Sequence, residues 1–272
     1  MTDSKDVFLQ KYLSIAPIPL GLVRAIDCKS FDQVDLTGSI LDVGCGDGVF
    51  ASILMENKNH KIEMGIDFDI GELVKAKRQS VYKNIVNCDT TNLPVKDSSY
   101  DTVISNSVFE HIPNLDGALS EISRILKPGG RFIITIPSHH LSDMFLFTKI
   151  FNKLGLSSMG KWYSDIKNKA WKHYHLYSPE TWVEILSRCG LRVVEYKYLH
   201  SKEVTELCDL FSFSGVMSVI WRKLFSRLLL FPFALRGVIL SKMLGRLYKT
   251  NPDIGATIFL VAEKEPGSDK GV

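Results

Sequence analysis

An α/β fold built on a parallel sheet is predicted by three observations. Short apolar runs alternate with helical patterns between residues 39 and 137. The runs are apolar throughout rather than alternating in and out, which marks strands covered on both faces. Several of them end on an acid or amide, namely Asp42, Asp67, Asp89 and Asn106. With 272 residues, 45% hydrophobic and 23% charged, the chain has material for one large domain, taken as 1–272.

The elements follow in order. Residues 7–31 are helical in pattern except at Ala16-Pro17-Ile18-Pro19, giving a helical cap over 1–35. A strand at 39–43 runs into Gly44-Cys45-Gly46-Asp47-Gly48, and a helix follows over 49–56. A strand at 62–66, a helix at 71–80 and a strand at 84–87 come next. The link 90–99 shows no helix, and 101–105 is a fourth strand. A helix over 115–126 stops at Lys127-Pro128-Gly129-Gly130, and a fifth strand, 131–136, stops at Pro137. After a long irregular insertion, 139–172, a helix spans 178–189, with Ser178 as N-cap, Pro179 in the first turn and Gly190 at its close. A strand at 191–198, an insertion at 201–252 and a last strand at 255–262 complete the chain.

Several classes are excluded. The charges, 33 basic and 30 acidic, leave only +3, which gives no general attraction to nucleic acid. Cys28, Cys45, Cys88, Cys189 and Cys208 are scattered without a CxxC, so neither a disulfide framework nor zinc is expected, and a reducing compartment fits. The opening MTDSKDVF has no basic-then-apolar pattern, so no signal peptide is expected. No stretch approaches the roughly 18 uncharged apolar residues of a spanning helix.

Ligands on open parallel sheets bind beyond the carboxyl ends of the strands. There, three glycines in five residues let the backbone approach a ligand, and a helix N-terminus offers unpaired N–H groups. Asp67, nineteen residues past Gly48, can take both hydroxyls of a ribose, and Asp89 can accept from an exocyclic amine. The loop alone also fits a plain tight turn or a dinucleotide site. The latter is weakened by Val49, which stands where GxGxxG has its third glycine.

The full set reads ILDVGCGDG, GIDFD, NCDTTNLPVKDSSYDTVISNSVFEHI and ISRILKPGGRFIITIPS. It resembles the class I S-adenosylmethionine-dependent methyltransferases of the small-molecule branch, strongly over 36–137 and more loosely over 178–198. The resemblance implies a Rossmann-like, seven-stranded, mostly parallel sheet whose last strand is antiparallel, with helical insertions at the active-site edge. It implies S-adenosylmethionine as cofactor. Gly44, Cys45, Gly46 and Gly48 would face its methionine and ribose, and Asp67, with Phe68 beside it, would hold the ribose hydroxyls. Asp89 and Thr90 would meet the adenine, Asn106 and Ser107 the methionine end, and Asp42 would orient the loop or reach the amino group through water.

The sulfonium is an activated donor, so placement of the acceptor is most of the task. His111, just past the fourth strand, is the candidate base where one is needed. Both insertions, 139–172 and 201–252, leave the sheet at its carboxyl edge and are expected to build the acceptor pocket or its lid. His139, His140, His173 and Tyr177 are its candidate residues. Four of seven histidines fall between His139 and His175, yet no carboxylate or cysteine lies at ligand spacing, so a polar wall is expected rather than a metal site. His175 and Tyr177 also fit a structural entry to the helix at 178. Arg24 fits either an anionic acceptor or a surface salt bridge.

Residues 210–252 carry seven basic residues and no acid, interleaved with Phe211, Phe213, Trp221, Phe225, Phe231 and Phe233. That pattern reads as an interfacial helix pair broken at Pro232 and drawn to an anionic membrane surface, or as an amphipathic lid on the core. Its aliphatic character argues against nucleic acid. The acceptor expected is a small molecule, hydrophobic or lipid-linked, with a soluble sugar or natural product as the alternative. The place expected is the cytoplasm, with a peripheral hold on the inner membrane face. A non-catalytic membrane-peripheral module on the same scaffold and a nicotinamide oxidoreductase are the rivals.

Overall fold

The computed structural model describes residues 7–56, 58, 60–212 and 233–266. They fall into two compact units, which are taken in turn.

The first unit, Ser30–Ser138, Lys172–Lys197 and Ile258–Val272, holds most of the sheet. The strands are β1 (Ile40–Val43), β2 (Ile62–Asp67), β3 (Tyr82–Asn87), β4 (Tyr100–Asn106), β5 (Leu126–Pro137), β6 (Leu191–Leu199) and β7 (Thr257–Lys264). Their order is β3-β2-β1-β4-β5-β7-β6, and the sheet is mostly parallel with the last strand antiparallel. The parallel register pairs Asp42 with Gly65 and Ile104, and Ser105 with Ile134, so β1, β2, β4 and β5 present their ends at one edge. The helices of this unit are α3 (Val49–Met55), α4 (Ile70–Ala76), α5 (Leu115–Ile125) and α9 (Pro179–Arg188), numbered within the whole chain.

Local chemistry explains these ends. Asp69 caps α4 by accepting from Gly71 and Glu72 N–H, and Asn114 caps α5 by accepting from Gly117 N–H. Ser178 caps α9 through Thr181 N–H, with Pro179 in its first turn. Leu119, Ile122 and Ile125 of α5 are fully buried, as are Ile133, Ile134 and Ile136 of β5. Phe31 meets Phe50 and Phe259 edge-on at 5.3 Å, and Phe109 meets Phe132 at 5.1 Å.

The helix-free link at 90–99 is tied down by one side chain. Arg124 donates to the carbonyls of Leu93 and Val95, to Asp97 and to Glu121, while Glu121 accepts from Leu93 N–H. Beside it, β5 begins earlier than the expected 131. Tyr100 pairs with Leu126 and Thr102 with Arg131, so Lys127–Gly130 is a bulge within the strand, with Gly129 left-handed. Lys127 reaches back to Asp101 at 2.8 Å and, with Ser39, holds that carboxyl down at about 2.

The second unit comprises Met1–Lys29, His139–Trp171 and Tyr198–Thr257, so the N-terminal cap and both insertions assemble together. Its helices are α1 (Val7–Ile15), most of α2 (Ile18–Asp32), α6 (Leu141–Met144), α7 (Leu146–Lys153), α8 (Ser157–Ala170), α10 (Lys202–Ser212) and α11 (Phe233–Lys249). The first insertion is therefore helical, not irregular. Its centre is a buried acid that spacing does not reveal. Asp209 of α10 accepts from Phe147 N–H and the Tyr163 hydroxyl and pairs with Lys167, tying α7, α8 and α10. Lys167 also lies over the rings of Phe145, at 4.3 Å, and Trp171, at 4.5 Å. Arg24 pairs with the buried Asp27 of its own helix at 3.7 Å, which is the salt-bridge alternative. Most of the expected basic helix pair, residues 213–232 with the break at Pro232, lies outside the described residues.

Ile122→Ala removes a fully buried side chain from α5. It should lower unfolding free energy by about 2–5 kcal/mol, read from the urea midpoint at unchanged slope.

Candidate active site

The site begins where β1 ends. Gly44, Gly46 and Gly48 all take left-handed φ, at 72°, 52° and 73°. A Cβ on Gly44 would come within 2.3 Å of Val108, and one on Gly48 within 3.1 Å of the Tyr82 ring, whereas one on Gly46 would meet nothing within 4 Å. Gly44 and Gly48 are thus fixed by packing as well as φ, and Gly46 faces open space. The N–H groups of Gly44 and Cys45 both donate to Ile66 O at 2.9 Å, locking the loop to the end of β2.

Asp67, at that end, accepts from Gly46 N–H on Oδ2 and from Asp69 N–H on Oδ1, both at 2.9 Å. Each oxygen keeps a second lone-pair direction, and the side chain is half-exposed. Phe68 beside it is 84% exposed, a large ring turned to solvent next to a carboxylate. Asp89, at the end of β3, accepts from Thr91 N–H and Thr91 Oγ1 on Oδ1, and these bonds hold its carboxyl below the usual range. Thr90 is half-buried beside it.

Asp42 is buried beneath the loop and takes a 2.6 Å hydrogen bond from the Tyr82 hydroxyl. Burial, which outweighs that bond, pushes its carboxyl up to about 7, with Asp67 adding to the rise. The same burial raises the Tyr82 hydroxyl and the Cys45 thiol. Tyr82 is a site residue that the sequence pattern did not single out. The available signal was Gly65 in the middle of β2, since a Cβ there would lie 2.9 Å from the Tyr82 ring.

At the end of β4, Asn106 Oδ1 accepts from Thr135 Oγ1 at 2.5 Å and Ser107 Oγ at 3.3 Å. Its Nδ2 is buried and, among the described residues, has no hydrogen-bond partner. A buried donor of this kind has room for an acceptor from outside the protein, water or ligand. Ser107 is left-handed at φ 57° and gives its N–H to Thr135 O.

Immediately past Ser107, a 3₁₀ turn (Phe109–His111) meets the segment leading to α9. Tyr174 N–H donates to Glu110 O at 2.8 Å, and His111 Nδ1 lies 3.2 Å from Lys172 O. His173 is thereby brought beside His111, rings 5.4 Å apart, and burial followed by that neighbour drops its imidazole to about 4. His175 bonds Ile112 O through Nε2 and the Tyr177 hydroxyl through Nδ1, and the Tyr177 ring lies against Trp182. Tyr177, expected in an acceptor pocket, thus shares a bracing role with His175. His139 and His140 belong to the other unit, their rings tilted at 40° with centroids 3.7 Å apart.

Residues 41–134 match the methyltransferase-domain family. The chain is an S-adenosylmethionine-dependent methyltransferase. It is 28% identical over 184 residues to a demethylmenaquinone methyltransferase of Tropheryma whipplei, covering 65% of this chain and 75% of that one. It is 34% identical over 107 residues to a phthiotriol/phenolphthiotriol dimycocerosates methyltransferase of Mycobacterium tuberculosis, covering 38% and 40%. Its fold is that of an S-adenosylmethionine-dependent methyltransferase from Thermotoga maritima, at TM-score 0.57 and 18% identity over 91% of this chain and 92% of that one. The residues at the sheet edge of this methyltransferase fit its cofactor: an open Gly46, an exposed ring beside Asp67, and a buried donor on Asn106.

The raised Asp42 has a consequence for stability. The folded state binds its proton up to about pH 7, whereas an unfolded Asp releases it near 4, so stability falls as pH rises between those values. Against Asp42→Asn, the wild type should lose on the order of 1 kcal/mol per pH unit across that window. Paired urea titrations at several pH values measure the difference, and parallel curves for the two proteins would contradict it.

Proposed function

We propose that this methyltransferase transfers its methyl group to a hydrophobic, lipid-like acceptor met at an anionic membrane surface. S-adenosylmethionine supplies an activated methyl sulfonium, so the protein's task is to orient donor and acceptor and exclude water. In this proposal Asp67 holds the ribose hydroxyls, Phe68 covers the adenine, and Asp89 with Thr90 accepts from its amine. Asn106 Nδ2 and the Ser107 backbone meet the methionine end, and Asp42 faces its ammonium. Asp67→Ala removes both the loop anchor and the ribose acceptor. Calorimetry with S-adenosylhomocysteine should show affinity down by at least about tenfold, the worth of roughly one charged hydrogen bond.

The acceptor class rests chiefly on one surface. On α8, Met159, Trp162 and Ile166 follow helical spacing and are exposed, and Ile150, Leu154 and Leu156 of α7 and the following turn are exposed as well. Lys153, Lys161 and Lys169 are exposed beside them, with Asp165 the one acid of 146–171, whereas Lys149 and Lys167 are taken up by Glu206 and Asp209. An apolar face with Trp, rimmed by Lys, is the composition of an interfacial helix. Each basic residue near an anionic surface adds about 1 kcal/mol. By sequence 210–252 carries seven basic residues and no acid, and the menaquinone and dimycocerosate names of two relatives point the same way. Among the described residues no helix is long and apolar enough to cross a membrane, so the contact proposed is peripheral.

Flotation on phosphatidylcholine vesicles with and without phosphatidylglycerol tests the surface. Binding should need the anionic lipid, and Trp162→Glu should lower it by about tenfold, from the roughly 1.5–3 kcal/mol of a large buried side chain. Labelled methyl should pass into the organic extract of incubated membranes. Label confined to the aqueous phase would sink the lipid reading in favour of a sugar or other soluble acceptor.

A further inference from the structure

Glu110, His111 and His173 come from two segments 62 residues apart, yet one ligand atom from each lies within 4.8 Å of the other two. His111 Nε2 is 3.7 Å from Glu110 Oε1. The two segments are clamped by Tyr174 N–H on Glu110 O, and Lys172 is held left-handed at φ 54° just before His173. A second feature points the same way. His111 Nδ1 faces the Lys172 carbonyl, so its proton is assigned there, which leaves the lone pair on Nε2, the nitrogen near Glu110 Oε1. A ring N–H tied to a backbone carbonyl, which leaves the other nitrogen free to ligate, is how metal-bound histidines are oriented. Glu110 is buried, His173 half-buried and His111 exposed, which leaves an approach from the His111 side.

We propose that Glu110, His111 and His173 hold a divalent first-row transition ion, zinc by the N₂O character of the donors. Two imidazoles and one carboxylate are three protein ligands, which leaves a position for water or an acceptor oxygen. Ligand atoms around such an ion lie about 3.3 Å apart, so the 3.7 Å pair needs only a small side-chain rotation. The turn that carries Glu110 and His111 follows Ser107 directly, on the chain that leaves β4. An ion there would lower the pKa of a bound hydroxyl and remove the need for a side-chain base. Ion binding itself does not depend on the identity of the acceptor.

The test is a titration of the full chain, first dialysed against a chelator, with Co²⁺ read by its visible d–d absorption and Zn²⁺ by competition. One equivalent should bind, with the intense bands of a low-coordinate site. His173→Ala and Glu110→Gln should each weaken binding by at least about tenfold, while His140→Ala, in the other unit, leaves it unchanged. Circular dichroism checks that each variant is folded. Should a variant unfold, Co²⁺ broadening of the His111 and His173 ring resonances in the wild type decides. No saturable binding to the wild type, no loss with folded His173→Ala, or broadening elsewhere overturns the proposal.

Discussion

The carboxyl edge depends on a loop that only glycine can form and that one carboxylate holds in place. Three residues in the left-handed region within five positions would each cost roughly 1–2 kcal/mol with a Cβ. Glycine removes that cost but leaves the loop conformationally loose. The looseness is countered by the Asp67 bond to Gly46 N–H and the double use of Ile66 O, all from the adjoining strand β2. Sheet register and ligand cradle are therefore one object. A slip of β2 against β1 would carry Asp67 away from Gly46 and remove the anchor.

Much of this was legible because parallel strands write their burial into continuous apolar runs and their ends into acids. β1, β2 and β4, the caps Ser178 and Gly190, and the helix-free link follow directly from local residue chemistry. The first insertion was not legible in the same way. Its helices are organised by Asp209, which lies more than 40 residues from Tyr163 and Lys167, and no local periodicity reports such a contact. Lys127–Gly130 does follow the end of α5 at Ile125, as Pro and Gly predict, but it also lies inside β5 as a bulge. What distinguishes a bulge is the partner strand's register, which a single segment does not contain.

The candidate site shows the same division. Gly44, Gly46, Asp67 and Asp89 lie at or just past the strand ends where the sequence puts them, because strand ends are local. Tyr82 was missed because it acts across two strands, its ring over Gly65 and its hydroxyl on Asp42. The carboxylate missing from the histidine cluster lay in the EHI turn, brought to His173 only by the clamp between Glu110 and Tyr174. Ligand spacing along the chain cannot represent a group assembled from two segments.

The pairing of Asp42 with Tyr82 has a cost that needs an account. An acid whose ionisation is opposed by burial is a weaker acceptor than an exposed carboxylate, and an apolar pair of similar shape would be at least as stable. Under the proposed function the arrangement would become favourable once a cation arrives. A positive group near Asp42 shifts it back toward the ionised form, and the Tyr82 hydroxyl, already donating at 2.6 Å, strengthens as the acceptor gains charge. In the proposed pose the arriving group is the ammonium of the methionine end. In that pose, stability given up to burying Asp42 would be recovered as binding energy directed at the part of the cofactor that carries the methyl group. An ordinary exposed aspartate would be ionised before the ligand came and, surrounded by water, would attract it far less.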